Sequence, residues 1–153
     1  MLIDTTHAAA QELTRRVAAV HAAYRRYIQN KLREHDIDLT YEMFQVLACL
    51  WKTEGINQQE IANITVKDKA GVTGLIDNLA KRSLVFRKED AADRRNKLIY
   101  LTDEGRALRL TIMPFIEDMF DAAGRTLGAA ELDHCSKVLQ QVENNLKTPS
   151  IPA

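Results

Sequence analysis

Proline and glycine are scarce, three and six in 153 residues, and Pro149 and Pro152 both lie near the C-terminus. So few chain breakers argue against a strand-and-turn fold and favour long helices. Cysteine is scarcer still. Cys49 and Cys135 lie far apart and fit neither a disulfide framework nor a zinc-ligand spacing. The four histidines, His7, His21, His35 and His134, are dispersed. None has a His or Cys one helical turn away, so no metal site is expected, and no cofactor either. No apolar run approaches the roughly 20 residues of a membrane span. The N-terminal Asp4-Thr5-Thr6-His7 lacks a basic-then-apolar signal, and a cytoplasmic location is expected. No nucleophile-base motif, phosphate loop or paired-carboxylate signature appears, which excludes the enzyme classes those motifs mark.

Net charge is also lacking, with 21 basic and 21 acidic residues. That balance hides a gradient. Between Lys67 and Lys97 stand nine cations and five anions, an excess of four that the rest of the chain offsets. A basic module on an acidic frame suits oriented DNA binding.

What is present is helical periodicity. Leu13, Val17, Val20, Tyr24, Ile28 and Leu32 recur at three- and four-residue steps and predict a helix over 5–34. The run from His35 to Asp38 breaks it. Thr40 is placed to cap a second helix carrying Phe44, Leu47, Leu50 and Trp51, which Gly55 should end. Asn57 and Glu60 have capping-box spacing, and Ile61 and Ile64 should anchor a short third helix. Asp68 should cap a fourth, with Val72, Leu75, Ile76 and Leu79 as its buried stripe. Its other face holds Lys69, Ala70, Thr73, Gly74, Asp77, Asn78 and Lys81, small or hydrogen-bonding residues suited to close approach.

Residues 85–88 and 97–101 are rich in strand formers around a polar loop and read as a hairpin. Thr102 should cap the next helix, with Asp103 and Glu104 at its positive end. That helix carries Leu108, Ile112, Phe115, Ile116, Met119 and Phe120, and Pro114 is expected to bend or interrupt it. Residues 129–147 repeat the helical pattern through Leu132, Cys135, Val138, Leu139, Val142 and Leu146. The expected fold is mainly α with a small β-hairpin. The terminal helices hold more apolar surface than the 40–105 segment can cover. Burial against a second copy is the expected solution, since closed two-fold dimers are the commonest oligomers. Two symmetry-related recognition helices would then read a pseudo-palindrome.

These residues resemble the MarR family of winged helix-turn-helix regulators over nearly the whole chain. Asp93-Arg94-Arg95, then Leu98, Leu101-Thr102 and Gly105, are similar to that family's wing and wing-to-helix junction. Val72-Thr73, Leu75-Ile76-Asp77, Leu79 and Leu84-Val85 are similar to its recognition helix and exit. The resemblance implies one domain over 1–147. Within it lie a winged-helix lobe at about 40–105, dimerisation helices at 5–34 and 106–147, and a tail at 148–153. It also implies a homodimeric, sequence-specific DNA-binding repressor relieved by a small-molecule ligand. Three positions depart from the pattern: Gly74 and Asn78 stand where arginines are frequent, and Ser83 stands where glycine is usual. Gly74 weakens the helix by about 0.5–1 kcal/mol relative to alanine.

The expected double-stranded DNA contacts are Lys67, Lys69, Ala70, Thr73 and Asn78 at or near the fourth helix, and Arg94, Arg95 and Lys97 from the wing. The competing reading is a solvated charged face. Arg94, at the hairpin tip, suits a narrow minor groove. Asp93 is placed to hold a neighbouring arginine through a bidentate pair, and Arg95 has an intramolecular ion pair as its alternative. Tyr24, Tyr41, Phe44, Trp51 and Met113 are candidates to line a crevice for a small aromatic or phenolic effector, against the alternative of core packing. The family's peroxide sensors carry a reactive cysteine near the N-terminus, and residues 1–48 contain none. The alternative function is a winged-helix protein-interaction module without specific DNA binding, favoured by Gly74, Asn78 and the zero net charge.

Overall fold

Helix starts in this chain are set by side-chain caps. A computed structural model describes residues 5–65 and 67–147, so the expected tail at 148–153 lies outside the described residues. The elements run α1 (Thr5–Glu34), α2 (Tyr41–Lys52), β1 (Ile56–Asn57), α3 (Gln58–Thr65), α4 (Lys69–Lys81), β2 (Val85–Glu89), β3 (Lys97–Leu101), α5 (Asp103–Gly124) and α6 (Ala129–Lys147). Thr40 Oγ1 accepts from the Met43 amide at 3.2 Å and opens α2. Asn57 and Glu60 exchange hydrogen bonds of 2.7 and 2.9 Å, the expected capping box at α3. Asp68 accepts from the Gly71 amide at 2.6 Å, and Thr102 from the Gly105 amide at 3.0 Å. At the end of α1, Ile37 donates to the Leu32 carbonyl and Asp36 to that of Arg33, with Asp36 left-handed at φ 53°. That pattern is a Schellman stop and explains the break after residue 34.

The sheet has order β1-β3-β2 and is antiparallel, with Val85 opposite Leu101 and Glu89 opposite Lys97. The third strand is a correction, because the sequence pattern suggested only a hairpin. Two residues are too short to show a period of two. They pair because Gly55, at φ 72°, turns the chain and donates to the Ile99 carbonyl, aligning Ile56 with Ile99. Gly55 therefore opens the strand rather than ending α2. The helix ends at Thr53, which is extended.

Val46, Leu47, Ile61, Val72, Ile76, Leu79, Ile99 and Ile112 are fully buried and join α2, α3, α4, the sheet and α5. Ile64 is exposed, so Ile61 anchors α3 with Ala62 beside it, and Leu75 is half-buried. α5 runs unbroken through Pro114, so the expected interruption does not occur. The chain divides into two compact units, Met1–Ile116 and Glu117–Ala153. In the second, α6 buries no residue, and Leu132, Val138, Leu139 and Leu146 are exposed.

Candidate nucleic-acid interface

The placement of α4 follows from its stripe. Val72, Ile76 and Leu79 face the core, so Lys69, Ala70, Gly74, Asp77, Asn78 and Lys81 are exposed and Thr73 is half-exposed. At its C-terminal end Arg82 donates to the Asp38 carbonyl at 3.0 Å and to the Asp38 carboxylate at 2.9 Å, tying the helix to the α1–α2 loop. Ser83 takes φ 56°, in the left-handed region that favours glycine. Its carbonyl accepts from Thr102 Oγ1 at 2.6 Å, and the Leu84 carbonyl accepts from the Thr102 amide at 3.1 Å. Gly105 packs so close that an added Cβ would lie 2.1 Å from the Leu84 carbonyl oxygen. The exit from α4 and the entry to α5 are therefore one packed junction, which is why Thr102 and Gly105 belong to the same motif.

The wing loop is built from its acids. Asp90 Oδ1 accepts from the Ala92 amide at 2.9 Å, and Asp93 Oδ1 from the Arg95 amide at 3.0 Å. The Asn96 amide donates to the Asp93 carbonyl at 2.8 Å. Asp93 thus holds backbone, not the guanidinium expected from sequence. A carboxylate two residues before an amide closes an Asx turn with little loss of freedom.

Each of the five acids between Lys67 and Lys97 is occupied by the protein. Asp68 caps, Asp90 and Asp93 turn the loop, Asp77 pairs with Arg87 at 2.6 Å, and Glu89 pairs with Lys97 at 2.7 Å. The Lys97 hydrogen bond holds the Glu89 carboxyl below its ordinary value. Arg82, Arg87 and Lys97 are consumed as partners. Among the described residues Lys67, Lys69, Lys81, Lys88, Arg94 and Arg95 have no carboxylate partner. These six unpaired cations lie on α4, on the hairpin and, for Lys67, just before the α4 cap.

Lys69, Arg95 and Lys97 come together in a recess of about 240 Å³, lined also by Asn57, Gln58, Gln59 and Asn96. The glutamines were missed from sequence. Gln58 Nε2 donates to Thr73 Oγ1 at 2.6 Å, linking α3 to α4. A run Asn57-Gln58-Gln59 at the start of a helix that packs against the recognition helix was the available signal.

Three of the five effector candidates are linked by ring contacts. Tyr41 and Phe44 are buried with ring centroids 6.0 Å apart, and Phe44 meets Trp51 edge-on at 6.3 Å. Burial pushes the Tyr41 hydroxyl above its ordinary value. Tyr24 and Met113 are half-buried. Trp51 donates its ring N–H to the Gly105 carbonyl at 2.9 Å and lines a cavity of about 440 Å³ with Lys52, Glu54, Arg106 and Arg109.

Residues 39–97 match the model of the MarR family. The HTH-type transcriptional regulator TtmR of Methylorubrum extorquens (strain PA1) is 31% identical over 138 residues, covering 89% of this chain and 69% of that one. The chain belongs to the MarR family. Members of the MarR family similar to it are transcriptional regulators, and this chain is one of that class. Among solved MarR-type structures, the S. aureus MepR–DNA complex shares the fold at a TM-score of 0.77, with 23% identity over 86% of this chain and 96% of that one. CouR from Rhodococcus jostii RHA1 bound to p-coumaroyl-CoA has a TM-score of 0.76, with 25% identity over 94% and 97%.

Proposed function

We propose that this regulator is a sequence-specific, homodimeric DNA-binding repressor. α4 enters the major groove, and the 89–96 wing follows the adjacent backbone or minor groove. Lys67, Lys69, Ala70, Thr73, Asn78, Arg94, Arg95 and Lys97 make the contacts. The observation that carries the reading is the set of six cations at or near α4 and on the hairpin that have no carboxylate partner among the described residues, beside five acids that are all occupied. The solved DNA complex of MepR supports it. The winged-helix lobe is 40–105, and the helices of 5–34 and 106–147 form the dimer. The exposed leucines and valines of α6, with Val17 and Val20 of α1, support burial against a second copy.

Release from DNA follows from geometry. A ligand that binds best when the two lobes have the wrong separation draws the dimer from its DNA-competent state. A tenfold loss of affinity needs only about 1.4 kcal/mol of such coupling. CouR was solved with an aromatic acyl-CoA, which supports an aromatic or phenolic effector class. Tyr24, Tyr41, Phe44, Trp51 and Met113 remain the proposed lining. Among the described residues no helix is long and apolar enough to cross a membrane, and the proposed location is the cytoplasm.

A mobility shift with the chain's own upstream region, repeated at several salt concentrations, tests the reading. Affinity should fall steeply, with a log–log slope of about −0.9 per phosphate neutralised. A flat response, or no specific complex, would favour the protein-interaction module instead.

A further inference from the structure

Three outward polar side chains of α4, Thr73, Asp77 and Asn78, make bonds back onto the protein. The Thr73 hydroxyl donates to the Lys69 carbonyl one turn earlier at 2.9 Å and accepts from Gln58 Nε2 at 2.6 Å. Asn78 Nδ2 donates to the Gly74 carbonyl at 3.0 Å. Asp77 is held by Arg87 at 2.6 Å. Between the two end lysines, the Ala70 methyl, the Thr73 methyl and the bare backbone of Gly74 form the apolar part of the outward face, beside the second N–H and the Oδ1 that the Asn78 amide still presents. A Cβ at Gly74 would meet nothing within 4 Å, so the helix surface there is open.

The Thr73 side chain is fixed by these bonds. Its single proton is committed to Lys69, so none remains for a guanine O6 or a thymine O4. With Oγ1 held in one staggered well, the methyl is held in another. Ala70 lies three residues before Thr73 and shares its face. In the major groove the apolar mark on a base edge is the C5-methyl of thymine, which alanine and threonine methyls meet by contact. Glycine at 74 lets the backbone approach that edge closely.

We propose that α4 recognises thymine methyl groups through Ala70 and Thr73. Gln58 acts as a positioning residue that holds the threonine hydroxyl inward. This rests on the DNA-binding reading above and adds to it what is read. Lys69, Lys81, Arg94 and Arg95 supply affinity through phosphates, and the apolar centre of the helix supplies discrimination.

The test begins with selection of duplexes from a random DNA pool by the full-length protein. The tightest binder is resynthesised with deoxyuridine replacing each thymidine in turn, which deletes one methyl, and Kd is measured at fixed salt. At one or two thymines per half-site the loss should be about fourfold, the value of one buried methyl-sized group. Thr73→Ser keeps both hydrogen bonds and loses the methyl, so it should bind the thymine and uracil duplexes equally at one of those positions. Thr73→Val keeps a methyl and loses the hydroxyl, and should still discriminate. The proposal is overturned if every uracil duplex binds the native protein as tightly as its parent. It is equally overturned if Thr73→Ser, melting at the native temperature, discriminates unchanged at every position. A pool that yields no enriched duplex would instead overturn the DNA-binding reading, and the proposal with it.

Discussion

Arg87, on β2, donates a 2.6 Å hydrogen bond to the carboxylate of Asp77, on the outward side of α4. One ion pair therefore ties the wing to the recognition helix and cancels a negative charge that would otherwise face DNA. Both side chains are partly exposed, so either alanine variant should cost only about 0.2–1 kcal/mol of stability. DNA binding should respond unequally. Arg87→Ala leaves Asp77 unbalanced beside the phosphates and should weaken binding by on the order of 1 kcal/mol or more. Asp77→Ala frees a cation and should leave affinity equal or higher. Equal losses in a titration at fixed salt would mean that the pair acts on geometry alone.

Arg94 and Lys97 differ in a way their sequence proximity hides. Among the described residues Arg94 has no carboxylate partner, whereas Lys97 is paired with Glu89 at 2.7 Å. Arg94→Ala should cost about 1–3 kcal/mol of specific affinity. Lys97→Ala should cost less, because binding already competes with Glu89 for its ammonium. The reverse order, by fluorescence anisotropy on one duplex, would remove the wing tip from the mechanism.

Ser83 holds φ 56° without help from its own side chain among the bonds described. Ser83→Gly keeps the carbonyl that accepts Thr102 and relieves the left-handed strain. Stability should rise by about 0.5–1 kcal/mol, seen as a higher Tm with unchanged Kd.

Gly105→Ala should do the opposite. Its Cβ would lie 2.1 Å from the Leu84 carbonyl oxygen, a backbone atom that cannot swing aside. The start of α5 must shift from the Leu84 backbone, at about 1–3 kcal/mol. Trp51, the sole tryptophan, donates to the Gly105 carbonyl and should report the shift as a change in emission. An unchanged Tm and spectrum would contradict this packing.

Cys49 is buried, and desolvation pushes its thiol above the ordinary value, so less of it is thiolate at any given pH than in the unfolded chain. In a Cys135→Ser background, iodoacetamide at pH 8 should modify Cys49 about tenfold or more slowly than after denaturation. Equal rates would reopen Cys49 as a redox-active thiol.

The legible parts of this chain were those decided within one helical turn. Thr40, Asn57 with Glu60, Asp68 and Thr102 each cap a helix through an amide three residues on, so residue type and spacing sufficed. The recognition stripe was legible for the same reason, apart from Leu75, whose position at the edge of the buried face leaves it half covered. Asp93 misled because two partners competed for it, and the nearer one, the Arg95 amide, required less ordering than a guanidinium. β1 was illegible because two residues carry no period and owe their pairing to β3, some forty positions later. At Pro114 the expected interruption does not occur. The proline ring removes one amide from α5, a loss the helix accommodates.

By itself the sequence determined where the helices begin and that positive charge concentrates between Lys67 and Lys97. Both depend on neighbours in the chain or on a simple count. Only the tertiary structure decided which charges stay free and which polar groups face outward. The partners that settle this are distant in sequence: Asp77 and Arg87 ten positions apart, Gln58 and Thr73 fifteen, Asp38 and Arg82 forty-four. Such pairs form because packing of α3, α4 and the sheet brings their backbones within hydrogen-bond reach, and no local pattern encodes that approach.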